Sequence, residues 1–213
     1  MNIQVGGIFV DEYKSTAVIM TAVDIESRSM DHIFSDWKLV KVPGDRQAYY
    51  EAYFERDGQQ CRVITCQQSV MGMTVGANES EIRFGDIGFL PRPITINTDK
   101  EVMDVVRSTI GAEDNEFHVH IGPMACGSYV VANSEVINKR VKSLFPHTVG
   151  LDMESYSVLY AAENATKPKP KALIVKSICD YADSEKSDQY QRFAAYTSSG
   201  YVKFLLEKCL KVK

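Results

Sequence analysis

Three acidic side chains lie beside short apolar runs, at positions where they can meet in space. Glu26 follows the β-branched run 16–21 (TAVIMT), and Asp180 follows the apolar run 172–178 (ALIVKSI). Glu154 lies in the segment GLDMES, which the sequence predicts to open a helix. Because ligands of α/β sheets gather outside the carboxyl ends of the strands, we expect the three carboxyl groups to converge on one pocket.

Separated carboxyl groups in one pocket can perform acid and base chemistry. A carboxylic acid can protonate a leaving group while a carboxylate on the opposite side activates the nucleophile. For Asp180 to donate a proton near neutral pH, its pKa must be raised by burial or by neighbouring carboxylates.

Each of these acids also has an ordinary structural interpretation. Asp180 alone would be a helix cap or a loop carboxylate. Glu154 would be a first-turn residue favoured by the helix dipole, or half of a surface salt bridge. Glu26 would be an exposed first-turn residue after a capping Asp24. The surrounding sequence has to decide between these interpretations.

Strands and helices alternate along the first part of the chain. The run 16–21 predicts a strand, and a helix follows from Asp24. Two β-rich runs over 49–67 flank the pair Asp57-Gly58, which predicts a hairpin. The segment 99–110 is amphipathic and predicts a helix.

The second half of the chain continues the alternation. Strands are predicted at 117–121 (FHVHI) and 172–178, and helices at 154–165 and 188–211. Asn133 or Ser134 can cap a further helix that Pro146 stops. These patterns predict an α/β fold of three layers, a central mixed β-sheet flanked by helices, in a single domain over residues 1–213.

Composition excludes several classes of partner. The 213 residues have a formal net charge of -4, so a nucleic-acid or anionic-membrane surface is not expected. The sequence has neither a membrane-length apolar run nor a signal-peptide pattern, which predicts a cytoplasmic protein. Five widely spaced cysteines predict free thiols. His118 and His120 share a strand face without further ligands, so no metal site is expected.

Three longer segments resemble one known superfamily. The segments are HVHIGPMACGSYVVANSEVINKRV (118–141), GLDMESYSVLYAAEN (150–164) and VKSICDYADSEKSDQY (175–190). Together they are similar to the nucleoside phosphorylase and nucleosidase superfamily, and to methylthioadenosine/adenosylhomocysteine nucleosidases within it. The resemblance implies the phosphorylase/hydrolase-like fold and cleavage of a purine nucleoside at its N-glycosidic bond.

The resemblance also implies a role for each acid. Asp180 matches the general acid that bonds to or protonates purine N7. Glu154, with Met153 beside it, matches the residue that holds the ribose hydroxyls and underlies the sugar. Glu26 matches the carboxylate that activates water in the hydrolytic members.

Further implications concern the base and the assembly. Val130 and Val131 fall where the family stacks on the base and hydrogen-bonds it through the main chain. Neither an organic cofactor nor a metal is required, and relatives commonly form homodimers or larger homo-oligomers. The expected partner is therefore a small nucleoside substrate.

Hydrolysis and phosphorolysis remain two alternatives. Phosphorolytic relatives place an Arg near the position of Glu26, where a carboxylate would repel phosphate, so hydrolysis is favoured. Arg28, Arg62, Arg83 or Arg92 could still form an anion site, which keeps phosphorolysis as the second choice.

A third alternative is a nucleoside-binding sensor that has lost turnover. Relatives place a helix and a central strand between the hairpin and the motif at 85–87 (GDI), whereas here only 69–84 is available, which is too short. We therefore expect missing segments near Thr74/Val75 and Ile87/Gly88. If the protein itself had lost a central strand, the main-chain N–H and C=O groups of the neighbouring strands would be left unpaired. We therefore favour the interpretation that the given sequence omits these segments and joins residues that are not covalent neighbours.

Overall fold

The computed structural model describes residues 4–5, 8–9, 17–67, 94–110, 117–127, 132–167 and 169–210. The strands in these ranges are β1 (Gln4–Val5), β2 (Ile8–Phe9), β3 (Ala17–Thr21), β4 (Lys38–Val40), β5 (Tyr49–Arg56), β6 (Gln59–Gln67), β7 (Met124–Cys126) and β8 (Gly150–Asp152). The α-helices are α1 (Asp24–Ile33), α2 (Lys100–Ser108), α3 (Ser134–Val136), α4 (Ser155–Asn164) and α5 (Gln191–Phe204). The π-helical segments Ile137–Lys142 and Leu205–Cys209 continue α3 and α5.

A mixed four-stranded sheet has the strand order β3-β6-β5-β4. β5 and β6 pair antiparallel from Tyr49↔Cys66 to Arg56↔Gln59, as the Asp57-Gly58 signal predicted. Both turn residues have positive φ, 50° and 74°, which suits the right-handed twist of a two-residue hairpin. β3 runs parallel to β6, so its carboxyl end leads directly into α1.

Helix α1 and the end of the C-terminal helical segment pack on one face of this sheet. Apolar residues alternate along β5 and β6 and face the same side, as the period of two requires. The resulting core cluster contains Ile33, Phe34, Ala52, Phe54, Cys61, Val63 and Leu206. Burial of this apolar face fixes the position of α1 relative to the sheet.

A second cluster surrounds the C-terminal end of α5. Leu205 and Tyr201 pack with Val102 and Val106 of α2. The Tyr201 hydroxyl lies 2.7 Å from Thr109 Oγ1, so the phenol is buried with a hydrogen-bond partner. Helix α5 therefore contacts both apolar clusters and links the two halves of the described chain.

Two of the predicted strands are absent from the described residues. The segments 117–121 and 172–178 form no strand, and the parallel pair β7–β8 lies beside them instead. Phe117, Val119 and Ile121 still pack against the second cluster, as do Leu173 and Val175. The alternation of apolar residues in 117–121 therefore indicated the inward-facing side chains correctly. These side chains pack against the cluster although the segment has no paired strand beside it.

The predicted helices are confirmed with changed ends. α2 and α4 occupy the expected segments, and α5 with its π-helical continuation fills most of 188–211. The prediction of an α-helix after Asn133 is wrong, because only one α-helical turn forms there and a π-helical segment follows it. Leu144 and Phe145 are each 42% exposed, so no packed face extends the α-helix to Pro146.

The α/β class, with a mixed sheet and flanking helices, is confirmed. No helix among the described residues is both long and apolar enough to cross a bilayer. The expected joints at Thr74/Val75 and Ile87/Gly88 lie outside the described residues.

The substitution Leu205→Ala tests the role of the second cluster. Leu205 is 1% exposed, so truncation should lower the free energy of unfolding by about 2–5 kcal/mol through lost burial and a residual cavity. Urea denaturation measures this loss. The control Leu144→Ala, at a residue that is 42% exposed, should lose less than about 1 kcal/mol. Equal losses would contradict the assigned packing.

Candidate functional site

Helix α5 ties together the segments that hold Glu26 and Asp180. Ser199 Oγ lies 2.6 Å from Ser29 Oγ, in the helix that begins with the Glu26 turn. Two residues earlier, Thr197 Oγ1 lies 2.7 Å from Ser177 Oγ, three residues before Asp180. Because Thr197 and Ser199 are two residues apart in the helix, they point to different sides of α5, and the Ser177 and Ser29 segments contact the helix on those two sides.

Glu26 binds the N-terminus of its own helix. Its Oε2 accepts hydrogen bonds from the main-chain N–H groups of Ala22, at 2.8 Å, and Val23, at 3.5 Å. Such bonds satisfy main-chain donors that a helix start leaves unpaired. Glu26 is therefore a first-turn residue, but it is half-buried and Asp24 does not cap the helix, because Val23 is the N-cap residue. The contact with the helix start involves only one of the two carboxylate oxygens of Glu26.

Glu154 belongs to a cluster of two carboxylates and one ammonium group. Lys176 Nζ lies 3.4 Å from Glu154 Oε2 and 3.9 Å from Asp152 Oδ2. Asp152 ends β8 and accepts hydrogen bonds from the Ser155 main-chain N–H, at 3.0 Å, and hydroxyl, at 2.6 Å. The Asp152 side chain is 4% exposed and that of Glu154 is 22% exposed, so Glu154 is the more accessible carboxylate.

Asp180 lies in a loop and has all its partners nearby in sequence. Its Oδ1 accepts a hydrogen bond from the Ala182 N–H at 2.9 Å, and its Oδ2 is paired with the Lys186 ammonium group. The Cys179 thiol donates to the same Oδ2 across 3.6 Å. The Asp180 side chain is 14% exposed.

The pKa of Asp180 is lowered in this arrangement. Partial burial acts to raise it, but the hydrogen bond and charge of Lys186 and the Ala182 N–H together outweigh burial. The sequence argument required a raised pKa for a general acid, so this expectation is wrong for the arrangement described. Asp180 is an ionised carboxylate at neutral pH.

The structure places Glu154 next to Lys176, in the segment that leads to Asp180. Lys176, which contacts Glu154, lies only four residues before Asp180. Among the described residues, no hydrogen bond or ion pair joins Glu26, Glu154 and Asp180 to one another. Two open cavities, of about 410 and 400 Å³, lie elsewhere, and none of the three carboxylates lines either of them.

The remaining predicted site residues have mixed outcomes. Met153 is 37% exposed beside Glu154, where a ligand could reach it. Val130 and Val131 lie outside the described residues. In the described ranges, no group of three or more His, Cys, Asp or Glu side chains could hold a metal ion.

Two lysines that contact the predicted carboxylates are not among the residues predicted from the sequence. Lys176 is the only charged residue in the apolar run 172–178, and such an isolated charge was a usable signal. Lys186 carries no comparable signal, because only the loop conformation brings it to Asp180.

Two known proteins are similar in sequence to part of this chain. No family model matches the chain. A 5'-methylthioadenosine/S-adenosylhomocysteine nucleosidase of Buchnera aphidicola is 29% identical over 119 residues, which are 54% of this chain and 48% of that protein. An uncharacterised protein of Sinorhizobium fredii is 30% identical over 95 residues, 43% of this chain and 22% of that protein.

A solved structure resembles nearly the whole chain. It is an S-adenosylhomocysteine nucleosidase from Streptococcus pyogenes in complex with 5-methylthiotubericidin, with a TM-score of 0.67 and 16% sequence identity. The alignment covers 92% of this chain and 97% of that chain. The chain therefore has the fold of these nucleosidases. In sequence it spans about half or less of the length of the two curated relatives, at 48% and 22%.

Paired substitutions at Glu26 separate its structural role from its charge. Glu26→Ala removes the acceptor for the Ala22 and Val23 N–H groups and should lower the free energy of unfolding by about 1 kcal/mol. Glu26→Gln keeps a side-chain oxygen and should lose less than half of that amount. Urea denaturation measures the free energy of unfolding of both variants. An equal decrease in the two variants would contradict the contact between Glu26 and the helix terminus.

The lowered pKa of Asp180 predicts a pH-dependent contribution to stability. A carboxyl whose pKa is lower in the folded state stabilises the fold above its unfolded pKa, near 3.8. The contribution disappears as pH falls through the folded pKa. The stability difference between the parent and Asp180→Asn should therefore stay constant from about pH 7 to 5 and shrink below about pH 4.

Chemical denaturation across this pH range measures the difference. Asp183→Asn, in the same loop, controls for the general effect of removing a carboxylate. A difference for Asp180→Asn that grows towards acid pH would show that the Lys186 pair does not stabilise the ionised form.

Proposed function

We propose that this chain is a purine nucleoside hydrolase whose site is formed by Glu26, Glu154 and Asp180. The observation that carries the proposal is the Lys176 contact, which joins Glu154 to the segment that leads to Asp180. Helix α5 contacts the segments of both Glu26 and Asp180 through its two hydroxyl pairs. The fold shared with nucleosidases adds independent support.

The proposed reaction begins with binding of the nucleoside. Asp180 donates a proton to N7 of the purine, and the electron pair of the N-glycosidic bond moves to the base. Glu154 holds the ribose hydroxyls with Met153 beneath the sugar, which becomes positively charged as the bond breaks. Glu26 then orients water through Oε1, since Oε2 is bound to the helix N-terminus, and accepts the proton that the water loses as its oxygen bonds to the sugar carbon.

The base would be held by a different part of the chain. Val130 and Val131 are proposed to stack on the purine and to hydrogen-bond it through the main chain, as the resemblance implies. A homodimer or larger homo-oligomer in the cytoplasm, without a metal or organic cofactor, completes the proposal.

Hydrolysis is favoured over phosphorolysis because two of the four candidate arginines are already paired with carboxylates. Arg28 is paired with Asp24 at 2.8 Å and Arg62 with Glu51 at 2.6 Å. A phosphate would have to compete with these carboxylates and with the negative charge of Glu26. Two other candidates, Arg83 and Arg92, lie outside the described residues.

A nucleoside-binding sensor is the second candidate function. It is favoured by the Lys186 pair, which holds Asp180 as a carboxylate and so opposes its use as an acid. A sensor would bind the nucleoside with Asp180 as a hydrogen-bond acceptor and release no base.

A nucleoside panel assayed for free base, with and without phosphate, tests the proposal. We expect phosphate-independent release of a purine with free ribose as co-product. Asp180→Asn should lower kcat/KM by about 10²–10⁴-fold, because it removes the acid that assists departure of the base. Asp183→Asn, the same substitution in the same loop, is the control and should retain parent activity.

Other results would contradict specific parts of the proposal. Strict phosphate dependence, with ribose 1-phosphate as product, would reject hydrolysis. Equal activity of the parent and Asp180→Asn would remove Asp180 from its role. Binding of a nucleoside without base release would favour the sensor.

A further inference from the structure

The loop after Asp180 folds back on itself and returns a lysine to the carboxylate. Asp180 Oδ1 accepts a hydrogen bond from the Ala182 N–H. Ala182 has a φ of 54°, in the left-handed region that residues other than Gly, Asn and Asp rarely adopt. A second turn follows, in which the Lys186 N–H donates to the Asp183 carbonyl at 3.2 Å. These two turns bring the Lys186 ammonium group to Asp180 Oδ2.

Both oxygens of Asp180 are thereby engaged. Oδ1 is bound to the Ala182 amide, while Oδ2 is shared by Lys186 and the Cys179 thiol. Of these partners, only the Lys186 ammonium group carries a charge, and that charge opposes protonation of the carboxylate. The Lys186 side chain is 34% exposed and that of Asp180 is 14% exposed, so the ammonium group is the partner that can return to water most easily.

We propose that Lys186 is a positioning residue that holds Asp180 ionised and must leave its carboxylate before Asp180 can take up and donate a proton. The inference rests on the proposed function, since it concerns the same acid. Asp180 would take its proton from solvent and pass it to N7 of the leaving base. Lys186 thereby sets the pH range in which the acid is available.

Among the described residues, the groups that bond to Asp180 or change its pKa all come from its own loop. They are the Lys186 ammonium group and the Cys179 thiol, with the Ala182 amide as a neutral donor. Burial and the neighbouring Asp180 carboxylate raise the pKa of Cys179, so it remains a neutral thiol at pH 7. Lys186 is therefore the only positive charge among these groups, and its removal should change the titration of Asp180 in one direction.

The direct experiment is a titration of Asp180 in the full chain by carbon-13 NMR of labelled aspartate carboxyls. Asp180→Asn identifies the signal. In Lys186→Met the midpoint should rise by about 1 pH unit or more, because an opposite charge within contact distance lowers a carboxyl pKa by that amount. Lys186→Arg should restore the parent midpoint, and Lys142→Met, at an exposed lysine, should leave it unchanged.

Kinetics supply a second and independent measurement. The alkaline limb of the pH profile of kcat/KM should move upward in Lys186→Met by the same amount as the NMR midpoint. Lys186→Gln repeats both measurements with a polar side chain, should the methionine variant fold poorly. A merely structural role would lower stability without moving either midpoint.

The outcomes separate this inference from the proposed function. An unchanged Asp180 midpoint in both Lys186→Met and Lys186→Gln overturns the inference, whatever the activity. A raised midpoint in a protein that releases no base supports the hold of Lys186 on the ionised carboxylate, but it rejects the hydrolase and overturns the proton transfer to the base. A raised midpoint with an unmoved alkaline limb removes Asp180 as the titrating acid and overturns the role given to Lys186.

Discussion

Each carboxylate of the candidate site needs a partner because it is partly removed from water. An ionised carboxyl without compensation is destabilising in such a position. The chain provides a different partner for each acid: main-chain N–H groups for Glu26, Lys176 for Glu154 and Lys186 for Asp180. Since Lys176 comes from the segment that leads to Asp180, compensation of one acid also positions the segment of another.

Helix α5 makes this arrangement possible. Its C-terminal half is anchored by Tyr201 and by Leu205 in the π-helical continuation, which pack in the second apolar cluster. Its middle carries Thr197 and Ser199, whose hydroxyls bind the segments of Asp180 and Glu26. Apolar burial therefore fixes the position of α5, and the two hydroxyl pairs hold the segments that contain Asp180 and Glu26 against this helix. Both the apolar burial of α5 and its hydroxyl pairs are needed to hold these segments against the helix.

The sequence predicted the elements whose signals are local. The Asp57-Gly58 pair specified its hairpin because both residues accept positive φ. The amphipathic pattern of 99–110 predicted its helix, and in the structure the Asp99 side chain caps it by accepting the Glu101 and Val102 N–H groups. Alternation at 117–121 indicated a buried face but not a ladder, because pairing depends on a neighbouring strand that no local pattern reveals.

The candidate site was predictable in part. The resemblance selected Glu26, Glu154 and Asp180, and Glu154 lies next to Lys176 in the segment that leads to Asp180. The lowered pKa of Asp180 could not be predicted, because it depends on a loop that returns Lys186 after six residues. Charges brought together by loop conformation leave no periodic pattern in a sequence.

A crystal structure with a bound, non-hydrolysable purine nucleoside analogue tests the central claim most directly. The account predicts Asp180 within about 3.2 Å of purine N7 and Glu154 at the ribose hydroxyls, with Glu26 facing the sugar carbon from the opposite side. An analogue bound at another place, or one that contacts only one of the three carboxylates, would contradict the account.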